Sequence, residues 1–196
     1  MLLKDKLEGY RLILASASPR RRELLAACDL DFVLADKFEC EECYPADLSA
    51  DNVAEYLSQL KSNAYPYPLG EKDILLTADT VVILGDKILG KPHSESEAVE
   101  MITSLSGATH KVVTGVTLRT PLRTISFSAE SLVSFRALEA EEIRYYVEKY
   151  RPLDKAGAYG IQEWIGYTAI ERIEGSFYNV MGLPVQRLYT TLKELL

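Results

Sequence analysis

The sequence predicts an α/β protein built on a mixed, twisted sheet with flanking helices. Two observations carry this. Runs rich in β-branched residues alternate along the 196 residues with stretches of helical periodicity, the order that lays helices on a partly parallel sheet. Gly85-Asp86 sits between two apolar runs, a hairpin signal, so antiparallel pairing joins the parallel pairing. No internal repeat, low-complexity tract or long Gly/Ser linker divides the chain. Its length fits one domain, or one domain with two lobes around a cleft.

The elements follow in order. Residues 11–15 contain the apolar run Leu12-Ile13-Leu14-Ala15 and read as a strand. A small-hydroxyl turn leads into a helix over 20–28, with Ser18 at the N-cap and Pro19 where the first helical residue belongs. Residues 31–35 suggest a second strand, followed by an acidic loop to about residue 50. Val53, Tyr56, Leu57 and Leu60 recur at helical spacing over 51–65, with Asp51 placed to start that helix. Pro66-Tyr67-Pro68-Leu69-Gly70 ends it. Residues 74–84 form a long apolar strand interrupted by Ala78-Asp79-Thr80, and 87–90 form its short return. Ser94 and Glu97 have capping-box spacing at the start of a helix that ends near 104–107. Strands over 110–119 and 123–136 meet around Thr120-Pro121, and 139–149 reads as a helix. A Gly-rich turn region over 154–162 precedes a strand at 167–173 and a terminal helix at 184–195.

The bulk numbers exclude some functions. Lys and Arg total 22 against 29 Asp and Glu, for a net charge of −7, which argues against nucleic-acid or acidic-membrane binding. No stretch approaches the roughly 20 apolar residues that cross a bilayer. The first eight residues are mixed in charge and unlike a signal peptide, so a cytoplasmic protein is expected. Cys28, Cys40 and Cys43 are an odd set, not a disulfide scaffold. Cys40-Glu41-Glu42-Cys43 has C-x-x-C spacing, but no second pair exists and the histidines are only His93 and His110. A four-ligand zinc site is therefore not expected. Carboxylates, lysines and arginines must carry any chemistry.

Two placements stand out. The first is Ser16-Ala17-Ser18-Pro19-Arg20-Arg21-Arg22 at a helix start. Cations are disfavoured there because the helix N-terminus is already positive, so two hydroxyls and three arginines predict an anion, most readily a polyphosphate. The bland alternative is a capped surface helix with solvated arginines. The second is Asp79, a carboxylate inside an apolar strand. Such a group is costly unless paired, hydrogen-bonded or bound to metal. It predicts a metal ligand or general base, against the alternative of a strand end or an outward face. Thr80 adds a hydroxyl beside it.

Supporting residues are weaker singly. The acidic loop Glu39-Cys40-Glu41-Glu42 offers a further carboxylate for a hard cation such as Mg²⁺, though most of it reads as solvated. Lys91 is pinned between Gly90 and Pro92, and a phosphate contact competes evenly there with a plain surface lysine. Lys61 lies on the helix 51–65, where a solvated face is the ordinary expectation. Gln162, after two glycines, offers a donor and an acceptor suited to a nucleobase edge. Together they point to a metal-assisted phosphate enzyme lacking both a P-loop and a dinucleotide fingerprint.

The ordered set Ser16-Ala17-Ser18-Pro19-Arg20-Arg21, Ala78-Asp79-Thr80-Val81-Val82, Gly90-Lys91-Pro92, Asp154 to Gln162 and Val180-Met181-Gly182-Leu183-Pro184 resembles the Maf family of nucleoside triphosphate pyrophosphatases, over about residues 10 to 195. The resemblance implies a two-lobed fold like that of inosine triphosphate pyrophosphatases, with a cleft. It also implies hydrolysis of a nucleoside triphosphate to monophosphate and pyrophosphate with a divalent metal, Mg²⁺ or Mn²⁺, and a homodimer. Ala156 to Gln162 resembles the dTTP/UTP subgroup. The family pattern makes Asp79 the proton acceptor and Arg20, Thr80 and Gln162 the specificity residues. It matches Glu42 to a metal-associated glutamate, and Lys61 and Lys91 to its lysines. Two departures are visible. Glu163-Trp164 follows Gln162 where many members have glycine, and Trp164 either stacks near the base or simply packs. Ser62 follows Lys61 where alanine is frequent.

The resulting expectation is water attack on the α-phosphorus of dTTP or UTP. Asp79 takes the proton or shares a metal with Glu42, and Ser16, Ser18, Arg20, Arg21, Lys61 and Lys91 hold the phosphates. The alternatives are the same chemistry on another nucleotide and a nucleotide-sensing regulator linked to septum formation.

Overall fold

A computed structural model describes residues 1–196. The elements are α1 (Leu3–Lys6), β1 (Arg11–Leu14), α2 (Pro19–Ala26), β2 (Val33–Leu34), α3 (Ala50–Ala64), β3 (Asp73–Leu84), β4 (Lys87–Leu89), α4 (Glu95–Leu105), β5 (Thr109–Arg119), β6 (Thr124–Phe135), α5 (Ala140–Tyr150), α6 (Trp164–Ala169), β7 (Ile170–Glu174), α7 (Phe177–Met181) and α8 (Val185–Leu195). The strands form one seven-stranded sheet in the order β2-β1-β3-β5-β6-β7, with β4 pairing off the path on β3. β1 pairs in parallel with β2 and β3, whereas β3–β4 and β6–β7 are antiparallel, so the sheet is mixed. No helix is long and apolar enough to cross a membrane.

The chain divides into two compact units. The first holds Met1–Asp79, Thr114–Ala129 and Gly182–Leu196; the second holds Thr80–Val113 and Glu130–Met181. In the first, Ile13, Ala15 and Leu75 form a buried cluster capped by Phe38, Tyr65 and Leu69. The register Arg11↔Asp73 places the Arg11 guanidinium against the Asp73 carboxylate at 2.6 and 2.8 Å, which pins the start of the β1–β3 ladder. Gly115 on β5 lets α3 lie directly on the sheet, since a Cβ there would stand 2.3 Å from the Ala54 backbone. Beneath α3, buried hydroxyls satisfy one another: Ser58 Oγ lies 2.7 Å from Thr117 Oγ1, and Thr77 donates to the Ser58 carbonyl at 2.7 Å. In the second unit, Ile102, Leu105, Val133, Phe135, Tyr146, Val147, Tyr159 and Ile165 belong to one large apolar core.

Sequence and structure differ at four places. The strand expected over 31–35 shrinks to exposed Val33–Leu34. The strand expected over 167–173 begins only at Ile170, because residues 164–169 close as a helix, a split that a short apolar run cannot reveal. The short helices α1 and α7 carry too little periodicity to be read. Ser94 Oγ does accept the Glu97 N–H, but the Glu97 carboxylate takes the His93 N–H rather than completing a box with Ser94.

Candidate functional site

In the first unit the helix start is built as expected, with a different division of labour. Pro19 is the first residue of α2 and Ser18 stands at the N-cap, but the Ser18 hydroxyl makes no capping bond. Ser16 does the local work: its Oγ accepts from the Ser18 N–H at 3.3 Å and from the Arg21 guanidinium at 3.2 Å. Arg21 Nε also donates to the Gly182 carbonyl at 2.8 Å, and Arg22 donates to the Ala17 carbonyl at 3.1 Å. Two of the three arginines thus also brace the 16–18 turn. Burial pushes the Arg21 guanidinium down, while Asp79 and Glu42 act in the opposite sense, so Arg21 feels both carboxylates.

Those carboxylates converge on one ammonium. Lys61 Nζ, on α3, is 2.5 Å from Asp79 Oδ1 and 3.1 Å from Glu42 Oε2. Lys61 is therefore not on a solvated face; its side chain is 16% exposed. The pairing answers the cost of placing Asp79 in an apolar strand. Asp79 is 14% exposed and Glu42, on the acidic loop, 48%. Ser62, beside Lys61, is buried, and its hydroxyl has no partner.

A divalent cation can be tested against this arrangement. No group of three or more His, Cys, Asp or Glu side chains gathers as a metal site. The Lys61 ammonium nevertheless stands between Asp79 and Glu42 as a cation would, so two carboxylates can meet one positive centre. That donor set fits Mg²⁺, which takes one or two carboxylates plus substrate phosphate oxygens and waters. Cys28, Cys40 and Cys43 are free thiols.

The second unit carries Thr80, Lys91 and Gln162. Thr80 follows Asp79 on β3 and is partly exposed; Lys91 follows β4 and is exposed. Gln162 is half-buried, with its amide oxygen buried and without a partner. It lies on the turn Gly160-Ile161-Gln162-Glu163, closed by the Glu163 N–H donating to the Gly160 carbonyl at 3.0 Å. Three residues that the sequence did not single out as a group secure this turn. The Tyr146 hydroxyl accepts the Gly160 N–H at 3.0 Å and donates to the Glu163 carboxylate. Lys155, only 8% exposed, lies 3.2 Å from the same carboxylate and 2.7 Å from Asp154. Burial, and the bond to Glu163, hold the Tyr146 phenol protonated far above its ordinary range. Gly160 is required by space, because a Cβ there would meet the Glu163 carboxylate at 2.9–3.0 Å. The signal that could have found this group is the glutamate standing where glycine is frequent. Trp164 lies edge-on to Tyr145 at 5.1 Å and packs against the core.

The structure thus gathers Ser16, Arg21, Glu42, Lys61 and Asp79 in one unit and carries Thr80, Lys91 and Gln162 on the other. Known proteins match nearly the whole length of the chain. A family model for Maf-like proteins matches residues 11–195. A dTTP/UTP pyrophosphatase of Bacteroides thetaiotaomicron is 52% identical over 189 residues, 96% of this chain and 98% of that one. One from Porphyromonas gingivalis is 52% identical over 192 residues, with 97% and 96% covered. One from Flavobacterium johnsoniae is 45% identical over 194 residues, with 99% and 100% covered. Since the family match runs from β1 to α8 and takes in every one of these side chains, this chain belongs to the Maf family.

Proposed function

We propose that the chain hydrolyses dTTP and UTP to the nucleoside monophosphate and pyrophosphate. The observation that carries this reading is the pair Asp79 and Glu42 drawn onto one cationic centre beside the braced Ser16–Arg21 turn. The names of relatives about half identical to this chain support the substrate.

Asp79 takes the proton from the water that attacks the α-phosphorus, a role suited to a carboxylate on a rigid strand. Glu42 and Asp79 would hold the divalent cation. When bound, that cation supplies Lewis-acid activation of water and neutralises phosphate charge. Lys61, released from at least one of its carboxylates, joins Arg20, Arg21 and Lys91 in balancing the charge that develops on the pyrophosphate. Groups of this kind contribute about 3–4 kcal/mol each at the barrier. Ser16 keeps the phosphate-facing turn in place, Ser18 offers its hydroxyl to the phosphates, and Thr80 adds a hydroxyl next to Asp79. Gln162 reads the base. Its unpartnered amide oxygen suits the N3–H of uracil or thymine, and its amide N–H suits O4. A cytoplasmic homodimer belongs to the same reading.

The test is pyrophosphate release with Mg²⁺ or Mn²⁺ across dTTP, UTP, CTP, GTP and ATP, with Asp79→Asn beside the wild type. Turnover confined to dTTP and UTP and dependent on Asp79 is expected. Turnover of another nucleotide overturns the substrate. No turnover of any moves the weight to a nucleotide-sensing regulator.

A further inference from the structure

We infer that Glu163, clamped by Tyr146 and Lys155, is a positioning residue for Gln162, and that this clamp sets the base preference of the chain. The inference rests on the reading of Gln162 as the residue that meets the base, and it assigns a specificity role to three residues outside the phosphate machinery.

A side-chain amide distinguishes uracil from cytosine only while its orientation is held. Turned over, it exchanges donor for acceptor and matches the other base. The amide oxygen of Gln162 has no protein partner, so what the protein fixes is the backbone from which the side chain springs, and with it the place at which the amide meets the base. That turn is enclosed by a ring of bonds. The ring runs from the Gly160 N–H to the Tyr146 hydroxyl, from that hydroxyl to the Glu163 carboxylate, and from the Glu163 N–H back to the Gly160 carbonyl. Ile161 anchors the middle of the turn in the core at 4% exposure. Lys155 holds the carboxylate from its other oxygen at 3.2 Å. The backbone is thereby tied on both sides of Gln162, at Gly160 to the Tyr146 hydroxyl and at Glu163 to the Gly160 carbonyl.

The experiment measures kcat and KM for UTP, dTTP and CTP with the wild type, Glu163→Gln, Tyr146→Phe, Gln162→Ala and the Gln162→Ala/Glu163→Gln double variant. Glu163→Gln keeps an acceptor for the Tyr146 hydroxyl, and Tyr146→Phe keeps the ring in the core, so both test the clamp without emptying its space. Each is expected to raise KM for UTP more than it lowers kcat, and to narrow the UTP-over-CTP ratio of kcat/KM about tenfold, the scale of a misplaced contact. On the Gln162→Ala background, Glu163→Gln should leave the ratio unchanged, because the two act as one unit. A fall in kcat or melting temperature with the ratio untouched overturns the inference and makes the clamp structural only. If the wild type favours another base, the dTTP/UTP reading fails, and the inference is judged by the ratio for that preferred base. Equilibrium binding of UTP and CTP without divalent metal covers a chain that shows no turnover. Equal discrimination by all variants, or binding of neither nucleotide, then overturns it.

Discussion

Each unit of this protein holds a lysine between two carboxylates, and the two arrangements differ in what surrounds them. Lys61 meets Asp79 and Glu42; Lys155 meets Glu163 and Asp154. In both, one carboxylate is largely covered and the other is open. The difference lies in the covered partner. Glu163 also accepts the Tyr146 hydroxyl, and its backbone closes the 160–163 turn, so its geometry is over-determined. Asp79 is held by a strand on one side and by a side-chain ammonium on the other, and Glu42 comes from an exposed loop. In the proposed function the first arrangement exchanges its cation for a metal or for phosphate-bound charge. The second cannot let go without freeing the turn. The same charge pattern thus leaves one carboxylate pair free to rearrange in one unit and fixes a turn in the other.

The largest break in this comparison is Asp79→Asn. It should lower turnover about 10³-fold or more, within the range for loss of a general base. The melting temperature should move little, since the amide still accepts from Lys61. Near-normal pyrophosphate release would remove Asp79 from the chemistry.

Replacing each lysine by methionine sharpens the contrast. Lys155→Met leaves Glu163 covered and uncompensated, which costs about 3–5 kcal/mol for a buried pair. At this chain length that corresponds to a melting temperature lower by roughly 10 °C. Lys61→Met leaves two carboxylates facing each other, and here Mg²⁺ should restore the lost stability. Thermal melts with and without Mg²⁺ read both variants. Rescue of Lys155→Met rather than Lys61→Met would invert the assignment of the two clusters.

The buried histidine gives a pH test confined to the second unit. His110 Nε2 lies 2.7 Å from the Tyr159 hydroxyl, and burial pushes the imidazole down to about 4. The unfolded chain takes up a proton near 6.5 while the folded chain does not. Stability is therefore full above pH 6.5 and falls as the pH drops towards 4, by about 3 kcal/mol. Denaturant melts of wild type and His110→Gln across pH 4–7 check this. Parallel curves would show that His110 does not titrate as described.

The smallest effect is expected at Ser18. Its hydroxyl makes no capping bond, so Ser18→Ala should cost under about 0.5 kcal/mol, below the usual price of a lost cap. Any loss of nucleotide turnover in that variant then reports on the substrate and not on the helix. A melting loss of several degrees would show that the hydroxyl caps α2 after all.

Much of this was legible from the chain alone. The alternation of β-branched runs with helical periodicity gave a mixed α/β sheet, and β3, α3, α4, β5, β6, α5 and α8 fall close to where the patterns place them. Long periodic segments are legible because burial of one face is written into every third or second residue. The short helices α1, α6 and α7 were not, because fewer than two turns leave no period to read. Asp79 was conspicuous for the same reason that it is costly: a charge in an apolar strand demands a partner. The sequence could not name that partner.

What the sequence determined by itself was which side chains are anomalous: Asp79 in its strand and the arginines at a helix start; Glu163 stood out only through the family resemblance. What only the tertiary structure decided was their pairing. Lys61 turns inward to Asp79 and Glu42, Arg21 and Arg22 hydrogen-bond the backbone and hydroxyl of the turn before α2, and Lys155 with Tyr146 holds Glu163 next to Gln162. The physical reason is that periodicity records only whether a position faces the core. The partner of a buried charge is set by the few ångströms of separation that packing alone establishes.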